Sequence, residues 1–430
     1  MAHHEDAAPS DIFAGIDWGG SFHQLCLIDA DGKTILQKRF QHTVAGLGQL
    51  REAITKHPGH IRIAIERSEG LLVEQLQQLE IEIYCVSPKI SARARERYRL
   101  ATKKSDAFDA FVLADTLRHE HAHWRPLSTP STLLARIRAL SRDRERLIIT
   151  QRNTENRLRA VMESYNPAVL HLFSSLDRDI SLAFIEQYPA PEQVRRLTVR
   201  TMALFCARQH YSGRTDPEIL MERIRPHMLA GSSGTNEGKA LTAKLFAAQL
   251  RMLNGHIGLL NLELSRLLQA HPDTAVFTSF PGIGDIGAAA LMAGMGEDRT
   301  RFPSAAALLA ETGLAPVTRA SGRTRQVRFR YAANKRMRHA IDWWAFVAVR
   351  DDPHWTGALY ETARAAGQGH HRALRGIAAR WVRILWRCWQ DNTAYDISRH
   401  PHRREALHQA QNLNPAKITA RAMDPEASMA

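Results

Sequence analysis

The sequence predicts an α/β region followed by a mostly helical region. Short β-rich runs separated by turns fill the first hundred residues, and long charged stretches with apolar residues at helical spacing begin near residue 132. A third stretch, rich in Gly, Arg and Trp, begins after Pro272. With 430 residues the chain has enough length for two or three domains.

The first hundred residues predict a mixed sheet packed against helices. The β-rich runs are "IFAGID", "FHQLCLID", "TILQKRF", "IRIAIE" and "IEIYCVSP". An Asp-Gly turn at Asp31 and Gly32 predicts a hairpin. "SEGLLVEQLQQLE" has helical spacing between the fourth and fifth runs, which indicates a parallel strand–helix–strand crossover. We assign residues 11–125 to this first domain.

Two long helices are predicted over residues 130–270. The first begins at Thr132, and the second has apolar residues at steps of four and three. Coiled-coil spacing of this kind predicts antiparallel pairing within the chain or packing against a second copy, and two helices of an ordinary bundle are the alternative. A turn-rich segment between them is interpreted as an insertion. The second seam consists of Phe246, Leu250, Leu253, Ile257, Leu260, Leu264 and Leu267.

Residues 272–396 form the third predicted domain, and residues 397–430 a mobile tail. "FTSFPGIGDIGAAALMAGMG" predicts a helix-hairpin-helix whose turn contains Gly282 and Gly284. Glycines there allow backbone N–H groups and a helix N-terminus to approach a phosphate. The alternative is an ordinary tight turn between two helices.

The charge balance predicts a nucleic-acid partner. Lys and Arg outnumber Asp and Glu by 58 to 44, a formal net charge of +14. The stretch from 319 to 338 has eight Lys or Arg residues and no acid, which predicts contacts to a nucleic-acid backbone. The residues that we expect to make them are Arg319, Arg323, Arg325, Arg328, Arg330, Lys335 and Arg336.

Other classes of protein fit the sequence poorly. The four cysteines lie far apart and form no CxxC pair, so neither a zinc site nor a disulfide framework is expected. No apolar run approaches the roughly 18 residues of a membrane span, and the first ten residues lack the apolar core of a signal peptide. We expect a protein of a reducing cytoplasm with no membrane partner.

Four acidic residues are candidates to bind metal. Asp17 ends the first apolar run and Glu66 the fourth, whereas Asp106 and Asp109 lie three residues apart on one face of a helix that starts near Ser105. Phosphoryl transfer on nucleic acids commonly uses magnesium ions held by such hard oxygen ligands. The alternatives are a strand-end turn residue and a helix cap.

Ser321 is a candidate nucleophile. It precedes Gly322 inside the basic stretch, where its hydroxyl is expected on a turn close to a scissile phosphate. A serine is a weak nucleophile unless a base or a metal ion activates it, and the sequence fixes no His or Lys partner. A simple turn residue is therefore the alternative.

"GIDWGGS" permits a different interpretation as well. It resembles the phosphate-binding hairpin of the actin and sugar-kinase superfamily. A second such motif is needed, and "GIGDIGAAA" lacks the strand and the threonine that follow it there. The kinase interpretation therefore ranks second.

The order of all these motifs resembles the DEDD transposases of the insertion-sequence one-ten family. "GIDWG" with Asp17, "AIERS" with Glu66 and "KSDAFDA" with Asp106 and Asp109 match the acidic tetrad of that family. The block that begins at "FPGIGDIG" and ends at "TRASGRTR" resembles its second conserved block, with Ser321 at the position of the serine. The resemblance spans most of the chain and implies an RNase H-like, RuvC-type domain before a serine-bearing transposase domain.

The resemblance also implies a mechanism. The tetrad would bind Mg²⁺, and Ser321 would form a covalent phosphoserine with DNA, so that strands are exchanged rather than hydrolysed. A structured non-coding guide RNA would select donor and target DNA. Carboxylates and serine would come from different subunits of a homo-oligomer, a dimer or a tetramer. A RuvC-like Mg²⁺-dependent nuclease that uses water, and a nucleic-acid-binding protein without catalysis, are the alternatives.

Overall fold

The structure is a computed structural model that describes residues 11–98, 105–229, 231–322 and 324–399. Arg323, one of the predicted nucleic-acid contacts, and residues 400–430 of the predicted tail lie outside the described residues. The chain separates into two compact units, Met1–Thr129 and Pro130–Ala430.

The first unit is built on a five-stranded mixed sheet in the order β3-β2-β1-β4-β5. The strand β2 is antiparallel to both of its neighbours, whereas β4 is parallel to both β1 and β5. The strands are β1 (Asp11–Trp18), β2 (Phe22–Ile28), β3 (Thr34–Gln41), β4 (His60–Ile65) and β5 (Glu82–Cys85).

Each face of this sheet is covered by its own apolar core. Ile16 and Ile65 belong to the core that also contains Leu50 and Leu72 from two of the helices. Phe13 and its neighbours on the other face pack against the last helix of the unit. The helices are α1 (Val44–Thr55), α2 (Leu71–Gln77), α3 (Pro88–Arg95) and α4 (Asp106–Glu120).

The sequence predicted the strands and the crossover of this unit correctly. The Asp-Gly turn joins β2 to its antiparallel partner β3, and Gly32 has a φ of 87°, which a glycine adopts without strain. The β4–α2–β5 unit is the predicted parallel crossover. The helices α1 and α3 were not predicted from the sequence.

The second unit is mostly helical and contains a two-stranded ribbon, β6 (Val317–Ser321) and β7 (Thr324–Arg328). Within the described residues, no helix of the protein is both long and apolar enough to cross a membrane. The helices are α5 (Thr132–Tyr165), α6 (Asp179–Gln187), α7 (Pro191–Arg195), α8 (Val199–Arg208), α9 (Pro217–Ile224), α10 (Ser233–Gln269), α11 (Thr274–Thr278), α12 (Asp285–Met295), α13 (Ala305–Glu311), α14 (Lys335–Asp351), α15 (Ala358–Ala365) and α16 (His370–Asp391).

The two long helices α5 and α10 pair antiparallel within the chain. Arg136 near the start of α5 donates a 3.0 Å hydrogen bond to Glu263 near the end of α10, and Gln151 donates one of 2.6 Å to Asn254. Most of the apolar seam predicted on α10 is buried, including Leu250 and Leu264. The antiparallel alternative of the sequence analysis is therefore confirmed for this pair.

The two ends of this helix pair lie in separate apolar cores. One end packs with α6 to α9, so the predicted insertion is a helical subdomain with a core of its own around Phe184 and Phe205. The other end packs with α11 to α14 and α16 around Trp344 and Trp381. This second core supports the ribbon and the turn that the sequence assigned to nucleic-acid binding.

Candidate active site and nucleic-acid interface

Two of the candidate acids lie side by side at one edge of the sheet. Asp17 is the seventh residue of β1, and Glu66 directly follows β4. The parallel register pairs Ile16 with Ile65, so the next step along both strands brings Asp17 opposite Glu66.

Both acids are on the face of the sheet that α4 covers. Side chains alternate between the two faces along a strand, and Phe13 and Ala64 belong to the core on the α4 side. Asp17 follows Phe13 by four residues and Glu66 follows Ala64 by two, so both acids share that face. Gln24, which is buried and paired with Asp17 across β1 and β2, lies on it too.

The start of α4 brings the other two acids to the same edge. Ser105 caps the helix by accepting a 3.2 Å hydrogen bond from the backbone N–H of Phe108. The far end of α4 lies near the start of β1, because the rings of His121 and Phe13 are 5.1 Å apart. The helix therefore runs opposite to β1, and its first turn, with Asp106 and Asp109, lies at the Asp17 end.

Two of these carboxylates are engaged by α3. Asp109 accepts a 2.7 Å hydrogen bond from the guanidinium of Arg95, and Glu66 accepts one of 2.5 Å from the hydroxyl of Ser91. Asp106 is exposed. Across the described ranges, no three His, Cys, Asp or Glu side chains are grouped so that they could hold a metal ion. The acids share one edge, but their oxygens do not form a ready ligand set.

Asp115, a buried acid further along α4, is held by two neighbouring side chains. It accepts hydrogen bonds from the Tyr98 hydroxyl and from the guanidinium of Arg118. Burial by itself raises the pKa of Asp115, but the hydrogen bonds from Tyr98 and Arg118 outweigh it and hold the pKa below its usual range. The negative charge of Asp115 therefore stabilises the position of α4 through its hydrogen bonds with Tyr98 and Arg118.

Ser321 lies at the end of the exposed two-stranded ribbon. It is the last residue of β6 and is paired with Thr324, the first residue of β7. Gly322, which directly follows Ser321, has a φ of 54°, a left-handed value that a glycine adopts without strain. Thr324 donates a 2.7 Å hydrogen bond to the backbone carbonyl of Ser321. Ser321 itself is exposed.

Some of the basic residues predicted to contact nucleic acid are exposed, and others interact with the protein itself. Arg319, Arg325 and Arg328 are exposed on the ribbon. Arg330 donates a 3.1 Å hydrogen bond to the carbonyl of Ala315 and so fastens the base of the ribbon. In α14, Lys335 is exposed, and Arg336 forms a 2.7 Å ion pair with Glu145.

The glycine turn is packed against the protein on one side. A Cβ on Gly282 would lie 2.9 Å from the backbone of Ala348, and Trp344 donates a 3.0 Å hydrogen bond to the carbonyl of Pro281. Gly282 is thus required for close packing of the turn on α14. Gly284, the N-cap residue of α12, is exposed, and a Cβ added to it would meet nothing within 4 Å.

The aromatic residues of α14 are not all in the core. The amphipathic pattern of α14 and α16 predicts that their tryptophans pack in the core rather than against nucleic-acid bases, and Trp344, Trp381 and Trp389 are buried. Trp343 and Phe346 instead lie together on the solvent face of α14, with their ring centroids 5.7 Å apart. For these two residues the core assignment is wrong, because they point away from the buried face of the helix.

The residues that contact the acids were not predicted from the sequence. Ser91 and Arg95 occur in the basic stretch "KISARARERY", which carries no recognisable motif. Their spacing of four residues was the available signal, since it places both side chains on one face of a helix. Gln24, the cross-strand neighbour of Asp17, was not predicted either, because it lies inside the apolar run "FHQLCLID".

Comparisons with known proteins agree with these two regions. A family model described as a transposase of the DEDD IS110 type matches residues 14–167, which include all four acids. A second, described as a transposase of the IS116/IS110/IS902 family, matches residues 274–361, which include Ser321 and the glycine turn.

Three relatives are similar along nearly their whole length. A mini-circle protein of Streptomyces coelicolor, whose name suggests a transposase for IS117, is 33% identical over 90% of this chain and 96% of its own. The insertion element IS110 protein of the same species is 25% identical over 92% of this chain and 98% of its own. The insertion element IS900 protein of Mycobacterium paratuberculosis is 26% identical over 89% of this chain and 97% of its own.

Proposed function

Because this chain belongs to the IS116/IS110/IS902 family of transposases, we propose that it is an RNA-guided DNA recombinase with a carboxylate metal site and a serine nucleophile. The observation that carries the proposal is that four carboxylates from three elements lie at one edge of one sheet. These are Asp17, Glu66, Asp106 and Asp109, and the first family model spans all of them.

An RNase H-like fold of the first unit is part of the proposal. It is supported by the strand order β3-β2-β1-β4-β5, in which only β2 is antiparallel to its neighbours. In such a sheet the central strand β1 and the adjacent parallel strand β4 supply acids at the same edge. The helix α4, which packs on this face, supplies two more.

The chemistry of these acids fits a hard divalent cation. Mg²⁺ prefers carboxylate and water oxygens, and four acids crowded at one edge are stabilised by a positive ion between them. The residues that would hold the ion are Asp17, Glu66, Asp106 and Asp109. Glu66 and Asp109 would then replace their contacts with α3 by contacts with the ion. When bound, Mg²⁺ stabilises negative charge on the reacting phosphate and lowers the pKa of an attacking hydroxyl.

Ser321 is proposed to exchange one phosphate ester for another. Its Oγ attacks a DNA phosphorus, an Oγ–P bond forms, and the bond from phosphorus to one deoxyribose oxygen breaks. The serine proton leaves to solvent and the departing oxygen gains a proton. Attack by a deoxyribose hydroxyl of another strand then releases the serine, so that one phosphodiester is made for each one broken. The exposure of Ser321 supports this role, since a DNA strand must reach its hydroxyl.

DNA and a structured guide RNA are the proposed partners. Arg319, Arg325 and Arg328 lie on the same ribbon as Ser321. They are exposed and positively charged, which suits contacts to phosphates that position a nucleic acid without reading its sequence. The acids belong to the first unit and Ser321 to the second. We propose a homo-oligomer in which the acids of one copy act with the serine of another, as the resemblance implies.

The experiment that tests the proposal traps the covalent intermediate. The protein is incubated with Mg²⁺, a labelled donor DNA and RNA transcribed from the flanks of the element, then denatured and analysed for protein-linked DNA. The wild-type protein is expected to give an adduct, and Ser321→Ala none. Thr324→Ala is the matched control, because Thr324 is the cross-strand partner of Ser321 and also carries a hydroxyl. It is expected to keep the adduct.

The same experiment separates the alternatives. Cleavage with free DNA ends and full activity of Ser321→Ala would indicate the RuvC-like nuclease instead. An adduct that forms without RNA would remove the guide from the proposal but leave the serine chemistry. An adduct that survives complete chelation of divalent ions would contradict the metal site.

A further inference from the structure

The helix α3 reaches two of the four acids with two side chains on one face. Ser91 and Arg95 are four residues apart, so they lie one above the other on α3. Ser91 donates to Glu66, and Arg95 forms an ion pair with Asp109. A helix that the metal chemistry does not require thus contacts acids from two different elements.

The Arg95–Asp109 pair is better protected than an ordinary surface ion pair. The N–O distance is 2.7 Å, and the side chains are 28% and 14% exposed. Charge-assisted hydrogen bonds of this length are strong, and partial burial reduces the screening by water and salt. The pair is further fixed because Tyr98, just beyond α3, hydrogen bonds to Asp115 on α4.

Two positive groups compete for one carboxylate in this arrangement. A magnesium or manganese ion binds a carboxylate oxygen at about 2.1 Å, and it repels a guanidinium held within hydrogen-bond distance of the same group. Ser91 is neutral, so its contact with Glu66 produces no such repulsion. Of the two α3 contacts, only that of Arg95 opposes the cation.

We infer that Arg95 is a built-in counter-ion that competes with the divalent cation for Asp109 and so sets the cation concentration at which the acids are filled. This inference rests on the proposed function, in which the four acids hold that cation. Occupation by the cation separates Arg95 from Asp109 and leaves a guanidinium beside the site. Arg95 is accordingly a positioning residue, which acts through Asp109.

Arg97 provides a matched control on the same segment. It forms a 3.1 Å ion pair with Glu120, at the other end of α4. Asp109 and Glu120 are 11 residues apart, roughly 16 Å along a helix. Replacement of Arg97 removes the same charge and also one contact between this segment and α4, but it leaves Asp109 paired.

The test measures Mn²⁺ binding to the full-length protein by the decrease of the free-ion electron paramagnetic resonance signal. Arg95→Gln is expected to bind Mn²⁺ roughly five to ten times more tightly than the wild type, the equivalent of one typical hydrogen bond. Arg97→Gln is expected to change the affinity by less than about twofold, and Arg95→Lys to lie between Arg95→Gln and the wild type. Circular dichroism melting verifies that each variant is folded. If Arg95→Gln does not fold, the affinity of Arg95→Lys is compared with that of the wild type instead.

Equal or weaker binding by Arg95→Gln relative to Arg97→Gln would overturn the inference, and so would undetectable binding by both Arg95→Gln and the wild type. A gain of equal size in both variants would do the same, since it would reflect net charge alone. Asp17→Asn distinguishes a failure of the proposed function. If Asp17→Asn binds Mn²⁺ as the wild type does, the acids are not the metal site, whatever the effect of Arg95.

Discussion

Gly15 of β1 and Ala110 of α4 are in direct backbone contact. A Cβ added to Gly15 would lie 1.9 Å from the carbonyl oxygen of Ala110 and 2.6 Å from the backbone nitrogen of Ala114. The helix therefore rests on the central strand with no side chain between them. Because Asp17 is two residues beyond Gly15 and Asp109 directly precedes Ala110, this contact fixes how closely the two acids approach.

Gly15→Ala is expected to destabilise the first unit and to weaken metal binding together. Neither backbone can yield without shifting a whole element, so the cost is about 1–3 kcal/mol, as for other overpacked interiors. Thermal unfolding and Mn²⁺ titration provide the two measurements. Gly20→Ala is the control, since its added Cβ meets nothing within 4 Å. Equal thermal stability and equal Mn²⁺ affinity of the two variants would show that α4 does not pack directly against Gly15.

Asp109→Asn is expected to reduce DNA strand cleavage by at least about a hundredfold, because it removes a charge from the proposed ligand set. Glu120→Gln at the other end of α4 is the control and is expected to cleave at close to the wild-type rate. Both rates are measured under single-turnover conditions with saturating Mg²⁺. A similar loss in both variants would assign the effect to α4 stability rather than to the metal site.

The sequence predicted the local positions of the candidate acids. Asp17 ends an apolar strand, and Ser105 followed by two aspartates marks a helix start, so the position of these acids follows from strand ends and helix caps. The ion pair of Asp109 with Arg95 is a tertiary contact, and a basic residue in a basic run does not reveal which acid it meets. Only the folded chain identifies that partner.

The ribbon and the exposed aromatic pair were missed for related reasons. The strands β6 and β7 are exposed on both faces, so they lack the alternation of apolar and polar residues that identifies a strand. Trp343 and Trp344 are adjacent in the sequence, yet one is exposed and the other buried. Which of two neighbouring tryptophans enters the core depends on the rotation of α14, which its partners determine.

The arginines of the ribbon are expected to contribute affinity rather than sequence preference. Arg319→Ala and Arg325→Ala should each weaken DNA binding for all sequences alike and reduce the slope of log affinity against log salt by about 1. Fluorescence anisotropy at several salt concentrations measures both quantities. Arg266→Ala serves as the control, because Arg266 is also exposed but is paired with Glu263 on α10. Equal losses for the three variants would indicate an effect of total charge only.

The hydrogen bonds that lower the pKa of Asp115 predict a loss of stability in acid. A carboxyl whose pKa is lower in the folded than in the unfolded state stabilises the fold fully above its unfolded pKa, about 3.9, and loses that contribution as the pH falls through the folded pKa. The wild type should therefore lose its advantage over Asp115→Asn as the pH falls from about 4 through the lower pKa of the folded state, since the asparagine does not titrate. Thermal midpoints of both proteins across this range provide the measurement, with Glu120→Gln as a control on the same helix. If the gap between the wild type and Asp115→Asn stays constant over the whole range, the charge of Asp115 does not stabilise α4.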